Sequence, residues 1–129
     1  MERKSKIGVT LVKIASIYMM IGLVIGLIMG LSGNHALTTV HSHISLLGWA
    51  TMVITGLVYI VRPRCADSKL SNLYFWLHNI GLPIMLVSLA LLYGYGNAEA
   101  EKFAGIGSII VLVSLLVFTI NIFKNLKND

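Results

Sequence analysis

A chain of 129 residues that is 57% apolar, 12% charged and of mean hydropathy +0.85 has too few charges to solvate a globular surface. Its length allows one domain, residues 1–129, and its composition names the lipid bilayer as the solvent. The net charge of +5 comes from a few basic residues at segment ends, a topology signal that argues against nucleic acid, and the single Cys65 excludes an intramolecular disulfide.

Four apolar stretches predict an all-α, four-helix transmembrane bundle, with spans at about 7–31, 37–61, 70–93 and 103–123. The first is too long and too glycine-rich for a cleaved signal peptide, so it is expected to be retained. It carries Gly22, Gly26 and Gly30 at spacing four, a face that lets another helix approach closely. That face suits packing within the chain, or against a second subunit or a flat cofactor. Ser32-Gly33-Asn34 reads as a turn, Arg62-Pro63-Arg64 as a charged stop, and Gly94-Tyr95-Gly96-Asn97 as a second turn. The last span, with only Ser108 and Ser114 as polar groups between Ile106 and Phe118, reads as a packing or lipid-facing helix.

Basic residues fix the expected orientation. Arg3, Lys4, Lys6, Arg62, Arg64, Lys69, Lys124 and Lys127 fall on one side, and only Lys102 on the other. Lys13 lies near enough to the start of the first span to reach the same interface. Both termini and the 62–69 loop, with Cys65 as a reduced thiol, are therefore expected in the cytoplasm. The membrane is expected to be the cytoplasmic (inner) membrane of a prokaryote.

The second span opens with His41 and His43, roughly 5–10 Å below its outer end. Ionisable groups inside a bilayer are costly and are commonly functional. Residues two apart on a regular helix point about 200° from each other, so the pair cannot chelate one metal. His41 shares its side with Ser45, Gly48, Met52, Thr55 and Gly56, a small and weakly polar interior stripe. His43 shares its side with Leu46, Leu47, Ala50 and Ile54, an aliphatic wall of the kind a porphyrin face fits. Two readings stand for the pair: interfacial rings bonded to water or lipid phosphate, or metal ligands whose second nitrogen is oriented by a hydroxyl or carbonyl.

His78, in the cytoplasmic half of the third span, is a weaker metal candidate, because it is expected about 15 Å in depth from His43, too far for one iron to take both readily. It is expected to hydrogen-bond inside the bundle, near Asn79 or Tyr74. His35 belongs to the outer turn, either as a solvated loop residue or folded over His41. Met29 and Met85 are expected at a depth similar to His43 and are soft donors for haem iron or Cu(I), although methionine also fills apolar cores.

Val40-His41-Ser42-His43-Ile44-Ser45-Leu46-Leu47-Gly48-Trp49, then Gly56-Leu57-Val58-Tyr59 and Pro63, then Leu73-Tyr74-Phe75-Trp76 and Gly81, resembles part of the haem-copper oxidase catalytic subunit. The stretch, roughly residues 38–90 or two fifths of the chain, is similar to helices ten and eleven of that subunit, most of all in its C-family. The resemblance implies His41 as ligand of the high-spin haem and His43 as ligand of the low-spin haem, with Gly48 and Trp49 beside the cofactor. A complete oxidase centre needs six histidines and a redox-active tyrosine. This chain has four histidines, lacks the copper-ligating pair, and holds Tyr74 at the family's helix-eleven histidine position. A monomer is therefore not expected to reduce oxygen by that family's mechanism.

These readings predict a small haem b protein of electron transfer or gas sensing, with His43 as main iron ligand. The other ligand would be Met29, Met85, His35 or His43 of a second copy. Four short helices can barely enclose a porphyrin, so a homo-oligomer, with a respiratory-chain redox partner, is expected. Two alternatives are a non-catalytic accessory or assembly subunit of a respiratory complex, and a copper carrier using His35, His41, His43 and methionines. A transporter is disfavoured, because no acidic residue falls within the predicted spans.

Overall fold

The computed structural model describes residues 6–128 and is helical throughout, with no strand among the described residues. Four long helices, α1 (Lys6–Ser32), α2 (Thr38–Val61), α4 (Lys69–Tyr95) and α5 (Ala100–Asn125), carry segments of mean hydropathy 2.3, 2.0, 1.8 and 2.6. A helix of such length spans roughly 36–40 Å at 1.5 Å per residue, enough to cross a bilayer core. The chain is a multi-pass membrane protein. An even number of crossings returns it to its starting side, so Lys6 and Asn125 share a face; Arg3 and Lys4 lie outside the described residues.

Local chemistry ends each helix. Gly33, at φ 72°, takes the left-handed conformation that stops α1, and Asn34 Oδ1 accepts the Ala36 N–H at 3.0 Å to close the turn. Gly96, at φ 69°, ends α4 in the same way. Between α2 and α4 the charged stop is itself a short helix, α3 (Pro63–Asp67), begun by Pro63 at its first position. Ser68 then caps α4 by accepting the Leu70 N–H at 3.2 Å.

Within α2, residues Ile44–Ala50 form a π-helical segment. The Thr51 N–H bonds to Leu46 O, five residues back. This wider turn explains a pattern that a pure α-helix would not give. Val40, Ile44, Gly48 and Met52 are all buried at spacing four, whereas α-helical residues four apart drift about 40° per step.

The bundle is two close helix pairs packed together. In the first, Gly8 of α1 lies against Gly56 of α2, where a Cβ would meet the Gly56 carbonyl at 2.5 Å. Gly22 packs on Ile44 and Gly26 on His41, so these two small residues serve contacts within the chain, while Gly30 meets nothing within 4 Å. In the second pair, Gly81 of α4 faces Gly107 and Ile110 of α5. The core between the pairs holds Leu11, Met52, Tyr59, Tyr74 and Leu82, all fully buried. The outward rows of α1 (Ile17, Leu23, Leu27) and α5 (Ile109, Leu112, Leu116) are exposed aliphatics, the surface a bilayer covers without cost.

Candidate functional site

His41 sits at the α1–α2 contact, its Nδ1 2.9 Å from Gly22 O. A carbonyl can only accept, so Nδ1 donates, and in the neutral tautomer that makes this bond the lone pair is on Nε2. The ring occupies space made by Gly26, where a Cβ would lie 2.9 Å from His41 Cε1.

His43 adopts the same protonation by a different route. Its Nδ1 donates to Thr39 O, one turn back in the same helix, at 2.8 Å. The ring is half-buried on a face where Leu46 is 63% and Ile54 58% exposed. As helical spacing predicts, His41 points inward and His43 outward, and each presents an unprotonated Nε2. A ring whose Nδ1–H is held by a backbone carbonyl while Nε2 is free is the arrangement in which imidazole ligates a metal.

His78 is of another kind. It is fully buried, and its Nε2 donates at 3.0 Å to Leu47 O, the carbonyl that the π-helical turn deprives of the Thr51 N–H. Ser114 Oγ lies 3.4 Å from Nδ1, and the Tyr74 ring packs at a centroid distance of 5.3 Å. Both ring nitrogens are thus engaged inside the bundle. Leu47 is four residues from His43, about 6 Å of helix rise, so the expected 15 Å gap in depth is too large. The reason is α3: Cys65 is fully buried and its carbonyl accepts from Asn121 at 2.9 Å, so the connector folds back into the bundle and α4 starts higher than α2 ends.

The remaining sequence-predicted residues scatter. His35 is exposed in the turn between α1 and α2. Met29 is buried with its sulfur 3.9 Å from Thr38 Oγ1, and Met85 is buried against α5 with its sulfur 3.0 Å from Ser108 Oγ. The room at Gly48 is taken by Tyr18, whose Cγ would meet a Cβ there at 2.7 Å; a cofactor touching Gly48 would have to displace that ring. Trp49 is half-buried. Among the described residues no group of three or more His, Cys, Asp or Glu is placed to hold a metal, so His35, His41 and His43 are not gathered into one such cluster.

Sequence reasoning missed a buried polar and aromatic column beneath His78. Tyr59, Tyr74 and Phe118 meet at ring-centroid distances of 5.4–6.2 Å. Tyr74 Oη lies 2.8 Å from Thr55 Oγ1, and the Thr55 hydroxyl donates to Met52 O at 3.0 Å, so Tyr74 is the donor between them. Two tyrosines and an asparagine inside apolar spans were the available signal. Every described buried side-chain nitrogen or oxygen has a hydrogen-bond partner.

The surface carries several clefts. One of 390 Å³ lies at the end opposite the termini, beside Met29, Leu37 and Gly94; one of 460 Å³ beside Lys6, Asn72 and Trp76; and one of 670 Å³ between α2 and α5. Neither His41 nor His43 lines any of these three. A cofactor held by His43 would therefore rest on the outer wall of α2.

A family profile described as "Protein of unknown function (DUF2871)" covers residues 9–125. No curated protein and no solved structure matches the chain.

Proposed function

The chain belongs to the DUF2871 family, which spans all four membrane helices, and from the geometry of its second span we propose that it is a small haem b protein of electron transfer or gas sensing. The observation that carries this reading is His43. Its Nδ1–H is fixed on Thr39 O, no partner holds its Nε2 among the described residues, and it stands on a half-buried face beside exposed Leu46 and Ile54. The likeness of residues 40–49 to the haem-ligating helix of the haem-copper oxidases supports the same assignment.

Bound haem would supply one-electron chemistry or a site for a diatomic gas. His43 would hold the group through Nε2, and the aliphatic side chains beside it would keep water away from it. Met29 and Met85 are buried against other helices and His35 is exposed in a turn, so the second ligand is assigned to His43 of a second copy. Ligation by two imidazoles, one from each copy, would favour electron transfer over gas sensing. His41, confined against Gly26, is the weaker ligand. The basic residues of Lys6, α3 and the end of α5 support an orientation with the termini in the cytoplasm of a prokaryotic cell.

The test is a reduced-minus-oxidised spectrum of detergent-purified protein from haem-supplemented cells. Wild type should show a Soret band, His43→Ala should lose it, and His41→Ala should keep most of it. A wild type without a Soret band overturns the reading. In that case, co-purification with a larger respiratory complex that also tolerates His43→Ala would identify an accessory subunit instead.

A further inference from the structure

The cleft of 670 Å³ between α2 and α5 has a chemistry of its own. Its walls are Ile54, Leu57 and Val58 of α2 facing Phe118 and Ile122 of α5. Two cations, Arg62 just past the end of α2 and Lys127 just past the end of α5, stand at its mouth on the face shared by the termini. No carboxylate lines it, and among the described residues neither Arg62 nor Lys127 has an ion-pair partner.

We propose that this groove is a binding site for an anionic phospholipid, with an acyl chain between α2 and α5 and the phosphate between Arg62 and Lys127. Charge decides the occupant. A zwitterionic lipid would fill the apolar walls but bring a cation of its own beside Arg62 and Lys127. A free anion would pair the cations and leave the walls unused. A second copy of this chain seated in the groove about a twofold axis would bring its own Arg62 and Lys127 against the first pair, which like-charge repulsion opposes. A basic pocket between spans at an anionic membrane surface suits a lipid headgroup. The site is separate from His43, which lies in the opposite half of α2.

The experiment reconstitutes the protein in vesicles of equimolar phosphatidylcholine and phosphatidylglycerol, extracts it in mild detergent, and reads retained lipid by native mass spectrometry. Two nearby cations should enrich phosphatidylglycerol over phosphatidylcholine by roughly tenfold or more. The Arg62→Gln/Lys127→Gln double variant should fall to the bulk ratio. Leu57→Trp, which narrows the groove and keeps both cations, should reduce retention of either lipid. Lys69→Gln/Lys124→Gln, on the same face outside the groove, should keep the enrichment, and added inorganic phosphate should not displace the lipid. A wild type at the bulk ratio overturns the proposal. So does equal loss in the Lys69/Lys124 variant, or displacement by phosphate. The haem spectrum plays no part in this readout, so the two proposals fail independently.

Discussion

His78 of α4 closes a gap that α2 opens in its own backbone: the imidazole Nε2 donates at 3.0 Å to Leu47 O, the carbonyl bypassed when Thr51 N–H turns to Leu46. The bond joins the two helix pairs and makes His78 a structural partner of the π-helical segment that follows His43.

Removal of that donor should therefore be costly. His78→Ala leaves a carbonyl unsatisfied in an apolar interior and a void beside Tyr74, for an expected loss of about 2–4 kcal/mol. His78→Gln, which keeps an N–H of similar reach, should recover part of it. Thermal unfolding in detergent measures both. Equal stability of His78→Ala and wild type would show that the bond carries nothing.

Gly26 and Gly30 should part company. At Gly26 a methyl group would meet His41 Cε1 at 2.9 Å and push the ring off Gly22 O, while at Gly30 it would meet nothing. The ordinary helical gain of alanine is small here, because a membrane span is helical before the bundle assembles. Gly26→Ala should then destabilise by roughly 1 kcal/mol and Gly30→Ala by about zero. The same thermal assay decides, and a deficit in Gly30→Ala would instead point to a neighbour on that face.

The four spans were legible in the sequence, and their predicted ends fall within three residues of Lys6–Ser32, Thr38–Val61, Lys69–Tyr95 and Ala100–Asn125. Length and apolarity alone decide whether a segment crosses a bilayer. The opposed faces of His41 and His43 were legible too, because they depend only on the angle between neighbours on one helix. What escaped depends on contacts between helices. His78 finds Leu47 across 31 positions of sequence, and Asn121 finds Cys65 O across 56. The relative height of α2 and α4 is set by a five-residue helix that a Pro and two Arg present as a simple stop. The π-helical turn left one trace, the burial-prone residues 40, 44, 48 and 52 at spacing four.

The Tyr74–Thr55 bond should respond unequally to loss of its two ends. Tyr74→Phe removes the donor, while the Thr55 hydroxyl still donates to Met52 O and nothing is left without a partner. Thr55→Val keeps the shape but strands a buried phenol proton. Expected losses are about 0.5–1 kcal/mol for Tyr74→Phe and about 1–3 kcal/mol for Thr55→Val. Equal losses, or the reverse order, would assign the proton to Thr55.

Cys65 offers a probe of how tightly α3 is held. The sequence placed it in an open basic loop, yet the thiol is fully buried beneath Asn121. Burial pushes its pKa above the ordinary 9.0, and Arg62 and Arg64 only partly pull it back. Less thiolate forms in the folded protein at any given pH, and the group is shielded from reagents. Maleimide labelling in detergent should be at least about tenfold slower than after denaturation. The sign of the stability effect follows from the same shift. An unfolded thiol loses its proton near 9.0 while the folded one keeps it, so stability from this group is present below that pH and declines as pH rises through the folded value. Cys65→Ser variants, whose hydroxyl does not titrate there, should lack that alkaline decline. Rapid labelling of the native protein at neutral pH would mean that α3 opens to solvent.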